Sequence, residues 1–339
     1  MPLPASSFTT LAPGLMIRRL LNGMWQVSGA HGPIDPQRAI PAMLDYHHDG
    51  FTTWDLADHY GPAEDFIGAF RRALAQHEGP QALDEIQAFT KWVPRPGPMP
   101  RSIVEAAIDL ARQRMDTPTL DLVQFHWWDY SDNRYLDALR HMADLQSGGR
   151  IRYLGLTNFD TERLQQIHQA GVRIVSNQVQ YSLIDQRPAV QMAALCERTG
   201  AQLLTYGTLC GGLLSERYLN QPEPAGSALN TASLRKYKNM IDAWGGWALF
   251  QELLHALHQI ARKHSASIAN VAVRYVLEQP SVAGVIVGVR LGVSEHSHEN
   301  AHALAFELDD EDYVAIEQVT QRARDLFRLI GDCGDEYRR

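Results

Sequence analysis

Four side chains of different chemistry stand at separated points in the first half of the sequence: Asp55, Tyr60, Lys91 and His126. Asp55, Lys91 and His126 each fall at the end of a short apolar, β-branched or aromatic run, and Tyr60 follows Asp55 by five residues. An acid, a phenol, an ammonium and an imidazole meeting at one place suit a task in which a proton is given to a carbonyl oxygen as negative charge develops on it. A phenol alone is a poor donor, because its usual pKa is about 10, and a neighbouring ammonium stabilises the phenolate. Lys91 is the candidate ammonium, Asp55 keeps it charged and aimed, and neutral His126 orients the carbonyl oxygen through a hydrogen bond. Singly, each has a plainer reading as an ion pair, a core histidine or a loop aromatic. Jointly they resist that reading, since a fold has no structural need to bring all four to neighbouring strand ends.

The elements that position them repeat. Strand-like runs occur at Arg19–Trp25, Phe51–Ala57, Ile86–Trp92, Leu120–Trp127, Arg152–Asn158, Ile174–Tyr181, Gln202–Thr208 and Ala283–Val289. Between and after them lie stretches of helical period at Pro36–Tyr46, Ala63–Ala75, Arg101–Arg114, Tyr135–Gln146, Asp160–Gln169, Pro188–Arg198, Leu249–His264 and Ser294–Ala303. Asp35 before Pro36, Asp160 and Ser294 read as N-caps, and Gly50, Gly171 and Gly200 as stops. Eight strands, each followed by a helix, predict a (β/α)8 TIM barrel with right-handed crossovers. An open doubly wound sheet would carry GxGxxG after its first strand, and Gly23 to Gly29 has the wrong spacing for it. A long loop after strand seven (208–249), a helix at Ser267–Glu278 and an extra C-terminal helix at Glu311–Leu329 interrupt the repeat. The expectation is a single barrel domain over 1–339, with its core at about 19–303 and the helix and tail at 304–339.

Lys plus Arg number 31 and Asp plus Glu 39, a net charge of −8 that argues against nucleic-acid or anionic-membrane partners. No apolar run approaches the roughly 18 residues a membrane span needs. Cys196, Cys210 and Cys333 are too few and scattered for a disulfide framework or a closed zinc site, and His47-His48 point apart on a helix, so no metal is expected. Residues 1–34 lack acids and carry Arg18 and Arg19, faintly like a transit segment, but a strand already begins at Arg19. A cytoplasmic location is the default.

The stretches Asp55-Leu-Ala-Asp-His-Tyr60-Gly-Pro-Ala-Glu64, Phe89-Thr-Lys91-Trp92, Leu122-Val-Gln-Phe-His126-Trp127, Gly155-Leu-Thr157-Asn158-Phe159 and Ser176-Asn-Gln178-Val-Gln-Tyr181-Ser182 resemble the aldo-keto reductase family from about Leu20 to Asn300. The resemblance implies an NADP-dependent oxidoreductase that interconverts carbonyl and alcohol, with Asp55, Tyr60, Lys91 and His126 as its tetrad and Tyr60 as general acid. It also implies that Thr157, Asn158 and Gln178 bind the nicotinamide carboxamide and that Tyr206 stacks on its ring, which fixes the geometry of hydride transfer. Leu209, Gly211 and Gly212 would touch the pyrophosphate; Arg290 would meet the 2′-phosphate; Glu299 and Asn300 would take the adenine. Where many members carry an arginine or glutamine this chain has His296, which weakens one partner and leaves NAD possible, although a guanidinium on phosphate favours NADP.

Trp25, Trp92 and Trp127 are the expected lining of a substrate cleft, and Trp128 is expected to face elsewhere. An aromatic cleft fits aldehydes, ketones and sugars alike, so the partner is a small carbonyl compound. The alternative class is a cofactor-holding regulatory or interaction subunit on the same scaffold, as potassium-channel β-subunits illustrate.

Overall fold

Short runs of apolar and β-branched residues, with few charges, must be covered on both faces, and a closed parallel sheet wrapped in helices covers them. The computed structural model describes residues 3–29, 32 and 34–338. An antiparallel pair comes first, β1 (Phe8–Ala12) and β2 (Leu15–Arg18). The barrel follows in chain order: β3 (Leu20–Gly23), β4 (Thr53–Asp55), β5 (Gln87–Trp92), β6 (Leu120–His126), β7 (Ile151–Thr157), β8 (Ser176–Gln180), β9 (Gln202–Tyr206) and β10 (Val282–Gly288). β10 pairs in parallel with both β9 and β3 and so closes the ring. All eight expected strands are present; six are shorter than expected, and β7 and β10 keep their length but begin one residue earlier.

Helices α1 (Pro36–His48), α2 (Ala63–Glu78), α3 (Arg101–Arg114), α4 (Tyr135–Ser147) and α5 (Thr161–Gln169) each link one strand to the next. Asp35 and Asp160 cap as expected, their side chains accepting from Gln37 N and Arg163 N. The next crossover is broken into α6 (Arg187–Val190) and α7 (Met192–Thr199) because Gln191 leaves helical geometry at φ −140°. After β9 come α8 (Ala232–Trp244), α9 (Gly246–Lys263) and α10 (Ile268–Leu277).

Beyond the break at Gln191 in the expected helix Pro188–Arg198, and α8, which occupies part of the stretch 208–249 expected as a long loop, two more helix expectations change. Ser294 pairs with Arg290 in an isolated bridge, so α11 begins only at Ser297 (Ser297–Ala301). The C-terminal helix is two, α12 (Asp310–Thr320) and α13 (Leu326–Ile330): Arg324 N turns back to Trp244 O at 2.7 Å, and the Asp325 side chain caps a fresh start by accepting from Phe327 N and Arg328 N.

The hairpin of β1 and β2 is the element the sequence reading did not foresee. Leu11, Leu15 and Ile17 pack against Leu21, Phe89, Leu122 and Leu204, side chains that point into the barrel. Gln202 Nε2 donates to Thr10 O at 2.7 Å, and Arg152 and Tyr153 donate to the Gly14 and Pro13 carbonyls. The hairpin thus stoppers one end of the barrel, and the C-terminal ends of the strands form the open mouth.

Candidate active site

Side chains alternate along a strand, so residues two apart share a face. On β5, Phe89 and Lys91 point inward; on β6, Leu122, Gln124 and His126 do; on β8 and β9, Gln178 and Tyr206 do. Lys91 lies opposite Gln124, and His126 opposite Thr157, which in turn lies opposite Gln178. The register therefore stacks polar residues above an apolar floor at the mouth.

Asp55 and Lys91 are almost wholly buried and paired, Nζ to Oδ2 at 2.6 Å, with a second bond from Nζ to Leu56 O at 3.0 Å. The other carboxylate oxygen of Asp55 accepts from Gln124 Nε2 at 2.8 Å and Gln178 Nε2 at 2.7 Å. Every oxygen of the buried acid is thus bonded, as a buried charge requires. The ammonium lies 5.0 Å from the centre of the Tyr60 ring, which Trp25 and His59 flank at 5.0 and 4.9 Å. Tyr60, Asp55, Lys91 and His126 all reach the mouth. One electrostatic expectation is reversed: burial, then Asp55, pushes the Tyr60 phenol well above its usual value. Lys91 is itself held below its usual value by burial, and its direct ion pair is with Asp55 rather than with the phenol.

His126 Nδ1 lies 2.9 Å from Thr157 O. A carbonyl oxygen only accepts, so this nitrogen carries the proton, and Nε2 of the neutral ring holds a lone pair. Burial holds the imidazole down to about 4, so it is neutral near pH 7. A neutral ring in this tautomer accepts at Nε2 and cannot donate to a carbonyl oxygen, which corrects the role expected for it. Nε2 is buried without a partner among the described residues, as is Thr157 Oγ1.

The depressed value has a consequence for stability. Between the ordinary 6.5 and about 4, the unfolded chain takes up a proton that folded His126 refuses. The contribution is fully present above pH 6.5 and is lost as pH falls towards 4, roughly 2 kcal/mol of it between pH 7 and pH 5. Urea midpoints of the wild type and His126→Gln at both pH values should show a smaller acid-side decline in the variant; equal declines would sink the assignment.

The substrate-cleft expectation is corrected for two tryptophans. Trp92 and Trp127 follow Lys91 and His126 by one residue and face the opposite way, into the layer between sheet and helices. Trp127 is 0% exposed, packs on Phe125 and Tyr135, and donates Nε1 to Asp129 O and Asp132 O. Trp92 packs on Phe125 at 5.4 Å. Trp128, set aside in the sequence reading, is 41% exposed and stands edge-on to His126 at 4.3 Å. Trp25 is 36% exposed beside Tyr60.

The other expected positions surround the same mouth. Asn158, at φ 57°, accepts from Tyr206 Oη at 2.8 Å. The Gln178 amide nitrogen is spent on Asp55 and Gln124, and its Oε1 makes no hydrogen bond among the described residues. Leu209, Gly211 and Gly212 form the turn after β9, with both glycines at positive φ. Arg290, His296, Glu299 and Asn300 cluster beyond β10, where His296 Nδ1 meets Glu299 Oε2 at 3.0 Å and Asn300 N donates to His296 O at 2.8 Å. Residues not foreseen are Gln124, two before His126 and so of matching parity; Gln26, whose amide covers Gly288; and Lys236 and Tyr337. Among the described residues, no group of three or more His, Cys, Asp or Glu is placed to hold a metal ion, and no helix is long and apolar enough to cross a membrane.

A closed (β/α)8 barrel whose mouth joins a buried acid–ammonium pair, a phenol and a neutral imidazole is an acid–base site on a parallel barrel. The chain belongs to the aldo/keto reductase family, whose pattern its residues 19–321 match. It is 31% identical over 258 residues to flagellar radial spoke protein 5 of Chlamydomonas reinhardtii, a match covering 66% of this chain and 49% of that protein. The chain therefore spans about half the length of that relative. It is 23% identical over 328 residues to the NADH-specific methylglyoxal reductase of Escherichia coli (strain K12), covering 91% of this chain and 96% of that one. An aldo/keto reductase from Klebsiella pneumoniae, solved with NADP and acetate, superimposes with a TM-score of 0.68 at 19% identity, covering 93% and 95% of the two chains.

Proposed function

We propose that the protein reduces an aldehyde or ketone to an alcohol with NADPH, or runs the reverse oxidation, with Tyr60 as the proton donor. The observation that carries this reading is the buried Asp55–Lys91 pair 5.0 Å from the Tyr60 ring, beside an imidazole lone pair that has no partner among the described residues. The residues present fit the cofactor. The unpartnered Thr157 Oγ1 and the open Gln178 Oε1 suit a carboxamide, Tyr206 offers a ring at the mouth, and the Gly211-Gly212 turn lets backbone approach phosphate. When bound, the reduced nicotinamide supplies the hydride to the carbonyl carbon.

Tyr60 gives its hydroxyl proton to the carbonyl oxygen as that oxygen becomes an alkoxide. An alkoxide is far more basic than a phenolate, so a phenol held above its usual pKa still transfers downhill. Lys91 stabilises the phenolate left behind, and Asp55 with Gln124 fixes Lys91. After the transfer the product hydroxyl donates to the lone pair on His126 Nε2, and for oxidation that O–H turns back to the phenolate of Tyr60, which takes the proton while the imidazole stays neutral. Trp25 and Trp128 form the apolar walls.

Arg290 is assigned to the 2′-phosphate. Arg290→Leu should weaken NADPH binding about 10- to 100-fold and NADH binding far less, as the loss of a charge-assisted contact requires. Dissociation constants from nicotinamide fluorescence check this, and equal losses would take Arg290 off the phosphate. His296 and Glu299 are bonded to each other and remain candidates for the adenosine half with Asn300.

A panel of aldehydes, ketones and aldoses, with NADPH consumption followed optically, tests the reading as a whole. Turnover of any class supports it. Tight NADPH binding with no turnover across the panel would favour a regulatory subunit, a reading that no feature of the site favours over an enzyme.

A further inference from the structure

The mouth carries a charge for which the proton chemistry above has no use. The sequence holds four lysines. Lys91 meets Asp55, Lys238 meets Glu223 and Asp242, and Lys263 meets Asp309 and Asp312. Lys236, on α8, makes no ion pair with a carboxylate among the described residues. Its Nζ donates to Tyr337 Oη and sits 5.4 Å from the ring centre of Tyr206 and 4.5 Å from that of Tyr337. Glu336, next to Tyr337 in the chain, pairs with Arg187 at 2.9 Å and reaches the Lys236 charge only through space, without a direct contact.

Tyr337 is not a loose terminus. Gly334 adopts φ 83°, and a Cβ there would lie 2.1 Å from Asn158 O, so the tail backbone is pressed onto the end of β7 where only glycine fits. Asp332 Oδ2 accepts from Thr161 N at 2.8 Å, and Arg338 Nη2 donates to Trp127 O at 2.8 Å with its guanidinium 3.9 Å from the Tyr130 ring. These contacts deliver the Tyr337 ring 6.4 Å from both His126 and Trp128, with its hydroxyl 3.0 Å from that of Tyr206. A phenol hydroxyl and an ammonium outside any direct ion pair among the described residues therefore stand at the same mouth as the imidazole lone pair. In a partly desolvated mouth such a charge attracts an anion.

We propose that Lys236 and Tyr337 form an anion subsite, taking the phosphate or carboxylate end of a short-chain carbonyl substrate whose carbonyl lies at Tyr60 and His126. The proposal rests on the carbonyl-reduction reading. It narrows the substrate from any small carbonyl compound to one bearing a negative charge.

The test uses the full chain with NADPH and two probe pairs, glyceraldehyde 3-phosphate against glyceraldehyde and 4-oxobutanoate against butanal. The charged member of at least one pair should have the higher kcat/KM. Lys236→Met should lower kcat/KM for that member about 10- to 100-fold, mainly through KM, and at least ten times further than for its neutral counterpart. Tyr337→Phe should take a smaller step in the same direction, and Lys236→Arg should restore the preference. Equal losses for charged and neutral members overturn the subsite. A loss confined to NADPH affinity assigns the ammonium to the cofactor's phosphates and overturns it too. Should no probe be reduced while NADPH still binds, the wider carbonyl panel judges the reductase reading, and calorimetry with inorganic phosphate and with succinate judges the subsite alone. Binding that disappears in Lys236→Met supports it; no binding by either protein overturns it.

Discussion

Tyr60→Phe should lose at least about two orders of magnitude in kcat for carbonyl reduction while NADPH binding stays within a few-fold of the wild type. The substitution keeps the ring that packs between Trp25 and His59 and removes only the hydroxyl. Neither His126 nor Lys91 replaces it as a donor. His126 is neutral with its one N–H turned to Thr157 O, and Lys91 is tied to Asp55 and Leu56 O. Stopped-flow measurement under single turnover isolates the chemical step, and near-normal turnover in the variant would remove Tyr60 from the role of proton donor. Solvent isotope effects give a second reading: an effect on the wild type that is absent from the residual rate of the variant locates the proton in flight on this oxygen.

The second large effect is on stability. Arg187 is buried and donates to both oxygens of Asp185 at 2.8 Å each, to Asp332 O at 3.1 Å and to Glu336 Oε2 at 2.9 Å. Arg187→Met removes the cation and strands two carboxylates in low dielectric, a loss of about 3–5 kcal/mol. At roughly 2 °C per kcal/mol for a chain of this size, the melting midpoint should fall on the order of 5–10 °C. Adding Asp185→Leu removes the worst of the stranded charge and should recover part of that fall, because deleting both partners of a buried pair is far milder than deleting one. A single variant that melts within 1 °C of the wild type would show that this network does not hold the tail. The same network seats Tyr337, so its loosening also predicts a weaker preference for charged substrates.

The barrel was legible because each strand is a short apolar run bounded by turn residues, and the tetrad was legible because Asp55, Lys91 and His126 close three of those runs. What the sequence reading missed follows from two physical causes. The first is parity. Lys91 and Trp92 are adjacent on β5 and face opposite sides, Trp127 directly follows the last residue of β6 and is buried on the side away from His126, and the alternation along β6 selects Gln124 for the mouth. Trp128 lies past the end of β6, where alternation no longer governs direction, and only the turn of the chain over the mouth brings it to His126. The second is sequence distance. Lys236 and Tyr337 are 101 residues apart and meet through α8 and the tail, which no local pattern links. The helix break before Leu326 depended on a backbone bond to Trp244, equally remote. The hairpin carries a readable signal in Pro13-Gly14 flanked by apolar runs.

The stopper at the base of the barrel bears on how the molecule can be handled. All three native thiols are buried, whereas Met16 on the hairpin is 58% exposed. A cysteine placed there would be the most accessible sulfur for maleimide coupling to a bead or electrode, and every molecule so attached would present its catalytic face to the liquid.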